Sequence, residues 1–337
     1  MANFSNSILT AAIYQASLDF QGVENRDAEF GGVKAFLSNK SEMQRVARLA
    51  TASQKPSSFR MNTFAPNAGL GALTCNPTSA SGDSADTALT WGLVTGEVQI
   101  ASARSGENQY TTEEQLVIDL KNMWSGIADE LEVAAMAYLN TNRSQADINQ
   151  GESTWNGSTA YYNSIALANK DYIRGIINSE MRAAKYNQRK SLIHTAPYDN
   201  FFDNTDLQGG GNARNLQDQD RRFDYFYTNE ASAVASTYGG IFVVPMGGIQ
   251  MLTWVRPTYR TNKPTGSEEW GMQVDPLLGL NFGMFKSIGC ADTTAVGGDK
   301  QDRSENVQFH LNYAFTHAPI TSPSGETPIH KYALATS

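Results

Sequence analysis

The side chains able to do acid–base, nucleophilic or metal chemistry are few and widely spaced in this chain of 337 residues. Its four histidines are His194, His310, His317 and His330. A metal site needs three or four donors converging on one point, and successive strand residues point to opposite faces. His310 and His317 lie an odd number of positions apart on what reads as one strand, so they face opposite ways and cannot share an ion. Each histidine reads as a hydrogen-bonded surface or interface residue. Cys75 and Cys290 follow no metal or redox spacing and read as two free thiols. The acidic pairs Glu113/Glu114, Asp129/Glu130 and Glu268/Glu269 are adjacent in sequence. On a helix such neighbours diverge and do not share a target. A glycoside-cleaving carboxylate pair would come from distant positions, and nothing singles one out. Trp91, Trp124, Trp155, Trp254 and Trp270 offer rings on which a sugar can stack, but Trp124 and Trp254 sit in apolar patterns that read as core. There is no phosphate-cradling glycine loop, dinucleotide fingerprint, nucleophile elbow or H-E-x-x-H helix. No catalytic, cofactor-binding or metal-binding residue is therefore assigned. No cofactor is expected, and the chain is read as a non-enzyme.

Composition points the same way. Charged residues make up 18% of the chain, below the roughly 25% usual in soluble domains. Neutral polar side chains fill the gap. Such a surface suits a protein whose exterior meets other copies, because burying a hydrogen-bonded amide costs less than burying a charge. The net charge of −8 argues against a dedicated nucleic-acid binder, which presents a basic patch. Arg182, Lys185, Arg189 and Lys190 form the nearest thing to one, and they read as the solvated face and last turn of a helix. The first residues lack the basic and apolar regions of a signal peptide, and no run of 18 apolar residues occurs, so no membrane span is expected.

The elements that would position these residues can be read from periodicity. Thr112 to Leu139 carries Leu116, Leu120, Met123, Trp124, Ile127, Leu131, Ala134 and Tyr138 at three- and four-residue steps, one apolar face of a helix about 40 Å long. Thr112 is placed to cap it, with Glu113 and Glu114 favoured in its first turn. So long a one-sided helix is a strut that needs a surface to lie on. Before it, Phe59 to Phe64 and Thr87 to Ala101 read as strands flanking a turn-rich tip, 67–86, an extended two-stranded arm. Residues 1–45 read as an arm with two short helical patches, the second from Val33 to Leu49. After the strut, Asn163 to Lys190 reads as a second helix with Ile165, Ile173, Ile176, Ile177 and Met181 inward. Strands are expected at SLIHTA, at Arg222 to Thr228, and on both sides of a Met246–Gly248 turn. Residues 207–220 read as a flexible loop. The cleanest strand signal is Val307, Phe309, Leu311, Tyr313 and Phe315, alternating with polar residues. Ile329 to Leu334 is a candidate partner for it.

This order of parts resembles the major capsid proteins of tailed bacteriophages, which have the Hong Kong 97-type fold. The stretches YGGIFVVPMGGIQMLTWVRPTYRT and DPLLGLNFG are similar in flavour to the strand-rich centre of such proteins, with a leaning to phages that infect Bacteroidetes. The resemblance implies an α+β fold divided into an N-terminal arm (1–50), an extended E-loop (51–110), a peripheral P domain with a spine helix (111–154), an axial A domain (155–270) and a return to the P domain (271–337). It implies a structural protein that assembles with itself, as hexamers and pentamers, into an icosahedral shell around double-stranded DNA. The implied partners are scaffold, portal and decoration proteins, with packaged DNA held non-specifically and no membrane. The implied location is the virion capsid, after assembly in the host bacterial cytoplasm. The sequence offers no long charged coiled-coil extension that would serve as a fused scaffold. Two alternatives stay open: an encapsulin-like bacterial nanocompartment shell, and a carbohydrate-active hydrolase.

Overall fold

The computed structural model describes residues 6–19, 29–38, 52–62, 84–101, 112–143, 153–156, 162–199, 201–202, 222–230, 238–260, 264–265, 268–291, 302–318 and 327–335. The fold is α+β. Among the described residues, two six-stranded sheets and a separate two-stranded one are arranged around one long helix.

Among the described residues two short helices precede the first strand: α1 (Asn6–Asp19) and α2 (Gly31–Ser38). Strands β1 (Ser58–Asn62) and β2 (Ser84–Ala88) pair antiparallel as a sheet of their own, with Ser58 opposite Ala88 and Asn62 opposite Ser84. The chain then passes through Leu89–Trp91 into β3 (Gly92–Ala101) and the long helix α3 (Thr112–Asn142). The expected returning strand from Thr87 to Ala101 is thus two strands in two sheets. Gly92 marks the changeover: a β-carbon there would sit 2.5 Å from the Tyr313 ring.

Helix α3 lies across one face of the first large sheet, ordered β10-β11-β12-β13-β3. These strands are β10 (Pro264–Thr265), β11 (Glu268–Val274), β12 (Asn281–Ala291) and β13 (Asp302–His317). Leu116, Leu120, Trp124, Ile127 and Leu131 are buried on the sheet side, as the spacing predicts, whereas Met123, Ala134 and Tyr138 are only partly buried and Ala135 and Leu139 take the buried places toward the C-terminal end. Trp124 wedges between Phe282, with ring centroids 5.1 Å apart, and Phe309, at 4.8 Å. Alternation along β13 places Val307, Phe309, Leu311 and Phe315 under the helix. Gly96 of β3 is where the helix presses closest, since a β-carbon there would meet Met123 at 2.6 Å and Ile127 at 2.7 Å. The glycines that interrupt the β3 pattern are therefore packing contacts. Helix α1 lays Leu9, Ala12, Ile13 and Ala16 into the same core.

The second large sheet runs β4-β5-β14-β8-β6-β7. It comprises β4 (Ser153–Asn156), β5 (Tyr162–Ile165), β6 (Lys190–His194), β7 (Phe223–Tyr227), β8 (Ile241–Pro245) and β14 (His330–Leu334). Every residue of β6, β8 and β14 is buried, as expected of strands covered on both faces. One face carries helix α4 (Ile173–Ala183), which packs Ile173, Ile176, Ile177 and Met181 against Leu192, Val243, Tyr332 and Leu334. The other face gives Ile193, Phe242 and Val244 to the core beneath α3.

Other sequence expectations change here. The second long helix is instead β5, a 3-10 turn (Leu167–Tyr172) and the shorter α4. Ala166 adopts an extended backbone between them, and Lys185 at φ 66° closes the far end. Ile165 is buried, but as a strand residue opposite Ser153 and Leu334. The strands expected on both sides of the Met246–Gly248 turn are present, but they do not pair with each other. Strand β8 pairs with β14 and β6, whereas β9 (Ile249–Trp254) crosses to the first sheet and pairs with β13. Residues 330–334 do not pair with β13; β14 runs parallel to β5 and antiparallel to β8. The helical patch expected from Val33 to Leu49 is described as α2 up to Ser38. Of the expected loop tip, 67–86, residues 84–86 belong to β2; the rest of the tip, the glycine-rich loop 207–220 and the rest of that patch lie outside the described residues.

Candidate functional site

The surface of the helix–sheet unit carries grooves, and specific polar links tie α2 to it. One such link is Glu132. It lies on the inner side of α3, 5% exposed. Its Oε1 accepts the backbone N–H of Gly32 at 2.8 Å and the Thr228 hydroxyl at 2.7 Å, and its Oε2 accepts the N–H of Val33 at 2.9 Å. Gly32 and Val33 are in the first turn of α2, whose N–H groups have no partner within their own helix. A carboxylate at that end also meets the positive end of the helix dipole. Glu132 thus ties together three segments about a hundred residues apart. Burial pushes its pKa up, opposed by the hydrogen bonds from Val33, Thr228 and Gly32, while the charge of Glu230 raises it further. Sequence reading missed Glu132. The available signal was an acidic residue one turn from Ala128 and Ala135 on the apolar stripe, together with the Gly31-Gly32 pair. Both glycines are required by space, because a β-carbon on Gly31 would lie 2.1 Å from the Tyr227 carbonyl oxygen and one on Gly32 2.8 Å from Glu132 Oε1.

Two of the four histidines, His194 and His330, depart from a surface role. His194 is buried between Phe202, Tyr225 and Tyr227, with Nδ1 3.3 Å from Asp199 Oδ1. Burial lowers its pKa, against the opposing pull of Asp199. His330 is 1% exposed and stacks on Tyr332, and burial lowers its pKa to about 4. Both occupy interior strands, where flanking apolar residues carry them inside. His310 and His317 lie on opposite faces of β13. His310 packs on Tyr259 with ring centroids 4.3 Å apart, and His317 Nδ1 is 2.8 Å from the Tyr138 hydroxyl. Among the described residues no group of three or more His, Cys, Asp or Glu is placed to hold a metal ion.

Lys190 is likewise not on a solvated face. It opens β6, is 2% exposed, and donates to Asn178 Oδ1 and the Gln188 carbonyl, both at 3.1 Å. Burial, with Arg182 and Arg222 nearby, lowers its pKa to about 8. Glu113, Glu114, Asp129 and Glu130 are exposed on α3. Trp124 and Trp254 are core residues. Trp254 donates from Nε1 to the Ala52 carbonyl at 3.1 Å, and Trp91 to the Pro56 carbonyl at 2.6 Å. Trp270 stacks between Tyr259 and Phe285. The side chains of Cys75, Cys290, Glu268 and Glu269 lie outside the described residues.

Two grooves flank α3. One, of about 530 Å³, runs between α3 and β3. The other, of about 600 Å³, sits at the C-terminal end of α3 where the β1–β2 pair joins the body, lined by Trp91, Tyr138, Tyr313, Phe315 and His317 among others. The first is walled by β3 and by acidic, amide and apolar side chains of α3, the second largely by aromatic rings. Among the described residues no helix is long and apolar enough to cross a membrane.

No protein-family model and no curated protein matches the chain. It is similar to a solved structure of Mycobacterium phage Che8, with 7% identity, 88% of this chain and 90% of that chain covered, and a TM-score of 0.49. It is also similar to the capsid structure of the cyanophage P-SCSP1u, with 10% identity, 83% of each chain covered and a TM-score of 0.43. The asymmetric unit of the bacteriophage PhiM1 mature capsid is a further match, with 9% identity, 85% and 84% covered, and a TM-score of 0.44.

Proposed function

We propose that this chain is the shell subunit of a tailed bacteriophage, a structural protein that assembles with copies of itself into an icosahedral capsid around double-stranded DNA. The observation that carries the reading is the β1–β2 pair. It forms a sheet of its own, with no third strand among the described residues, and hangs from a rigid helix–sheet body. A two-stranded ribbon is at best marginally stable in water. A ribbon of this kind therefore has a natural role as an extension that gains its stability on a neighbour. The long α3 gives such an extension a stiff base.

In this reading residues 1–50 are an arm, 51–110 the E-loop, 111–154 and 271–337 the peripheral domain, and 155–270 the axial domain that meets its counterparts in five- and six-fold rings. Repetition of modest contacts in closed symmetry gives collective stability. The net charge of −8 suits a container that must release its DNA, since a basic lining would hold the polymer by counterion release. Scaffold, portal and decoration proteins are the partners, the virion is the location, and assembly takes place in the host cytoplasm. The role is structural rather than catalytic.

Electron microscopy and sedimentation of the protein purified from its native source test this. Closed shells of several hundred ångströms containing DNA are the expected result. Shells holding protein cargo and no DNA would place the chain in a nanocompartment. A monodisperse species of 36.8 kDa at high concentration, with no particles in the source lysate, would refute the shell reading. Shortening the loop within 67–80, which leaves β1 and β2 whole, should preserve the subunit fold and stop shell formation.

A further inference from the structure

The free edge of β3 and the groove beside it form a second feature without an assigned role. Strand β3 pairs with β13 along one side, from Ala101 opposite Ser304 to Gly92 opposite Tyr313. On its other side no strand pairs with it among the described residues. Val94 to Gln99 all line the groove, inward- and outward-facing residues alike, so the strand's backbone edge is itself a wall. Six strand residues span about 17 Å. The opposite wall is α3 from Asp119 to Glu130, eleven steps of 1.5 Å, also about 17 Å. The two walls match in length and suit one extended segment of about six residues.

Edge strands are ordinarily protected by lysine, proline, shortness or a bulge. β3 is ten residues long, has neither lysine nor proline, and carries a single charge, Glu97. The groove has a consistent sign: Glu97, Asp119 and Glu130 line it, and among the described residues no lysine or arginine does. Glu97 accepts from Gln308 and Asp119 from Gln115, neither of which offsets the negative charge. On the helix wall Met123 and Ile127 are apolar, and a β-carbon on Gly126 would meet nothing within 4 Å. Side chains can therefore enter beside Gly126.

We propose that this groove docks an extended segment of a different protein, which adds to the β3 edge as a further strand and carries lysine or arginine alternating with apolar residues. Alternation follows from strand geometry. The inward row lies over Met123 and Ile127 beside Gly126, and the outward row places its cations next to Glu97. Asp119 and Glu130 meet the two ends. Backbone pairing supplies affinity and the side-chain rows supply selectivity, the usual division in strand addition. A different protein is the occupant because the charge the groove demands is opposite to the net charge of this chain.

The test uses the full, unassembled chain and three capped nine-residue peptides: alternating Lys/Val, alternating Glu/Val, and a helix-forming Lys/Ala peptide of the same charge as the first. Fluorescence anisotropy should show binding of the Lys/Val peptide only, weakening with salt. Amide hydrogen exchange should show new protection within Val94–Gln99. Reversing Glu97, Asp119 and Glu130 together to Lys should weaken that peptide by about tenfold or more. Gly126→Leu, at an open helical position, should block it with no change of charge. Equal binding of the helical peptide, binding without protection of β3, or indifference to both variants would overturn the proposal. So would concentration-dependent protection of β3 without any peptide, which would make a second copy the occupant.

Discussion

Replacing Glu132 tests whether α2 is locked to the long helix by a single carboxylate. Glu132→Ala leaves two buried backbone N–H groups and the Thr228 hydroxyl without their acceptor. Hydrogen bonds to a charged group contribute about 1.5–3 kcal/mol each, and burial of the carboxylate costs several kcal/mol in return. The balance predicts a loss of about 3 kcal/mol, in line with breaking other buried charged contacts. Glu132→Gln keeps one acceptor oxygen and turns an amide N–H₂ toward an N–H donor, so about 2 kcal/mol is expected. The sign of the pH dependence separates burial from hydrogen bonding. Burial is the largest influence on Glu132 and raises its pKa above the ordinary 4.5. The folded state therefore binds the proton more tightly than the unfolded chain, and this group's contribution is complete below about 4.5 and declines as pH rises through the folded value. The stability deficit of Glu132→Gln should accordingly shrink from pH about 4 toward neutrality. Urea unfolding of the unassembled subunit across that range measures it, and exchange of the Gly32 and Val33 amides reports the local loss. A deficit that grows with pH would show that the three hydrogen bonds outweigh burial and would refute the reasoning. No deficit at any pH would refute the lock itself.

Other outcomes follow from the same geometry. Trp124→Asp or Leu131→Asp places a charge in the fully buried seam between α3 and the sheet and should leave no soluble folded subunit on expression and size-exclusion chromatography. Gly175→Ala, in α4 with nothing within 4 Å of the added carbon, should stabilise by about 0.5–1 kcal/mol in denaturant titration. Gly31→Ala, aimed at the Tyr227 carbonyl, should destabilise by about 2 kcal/mol or more. Neutral His330, with its pKa lowered to about 4 from 6.5, contributes stability that is present above about 6.5 and lost as pH falls toward 4. A His330→Phe variant that keeps the wild-type acid-unfolding midpoint would contradict that assignment.

Local pattern and long-range partner choice divide cleanly in this molecule. The 3.6-residue period of α3 and the two-residue period of β13 are local properties, so the residues that face the core were legible: Leu116, Leu120, Trp124, Ile127 and Leu131 on one, Val307, Phe309, Leu311 and Phe315 on the other. The scarcity of charge was also readable without coordinates. Periodicity could not say which strand meets which, because backbone hydrogen bonds carry no residue identity and any strand edge can pair with any other. Only the packing of two sheets against α3 decided that β8 and β9, joined by a three-residue turn, part company, and that β14 slots between β5 and β8. The isoleucines from 165 to 177 fit a helical stripe equally well. Pairing with β4 and β14 drew Ile165 into a strand instead. Glu132, His194, Lys190 and His330 were hidden for a related reason. Polar side chains look solvent-facing in sequence, and only the tertiary structure brings the partners, or the surrounding apolar strands, that make their burial bearable.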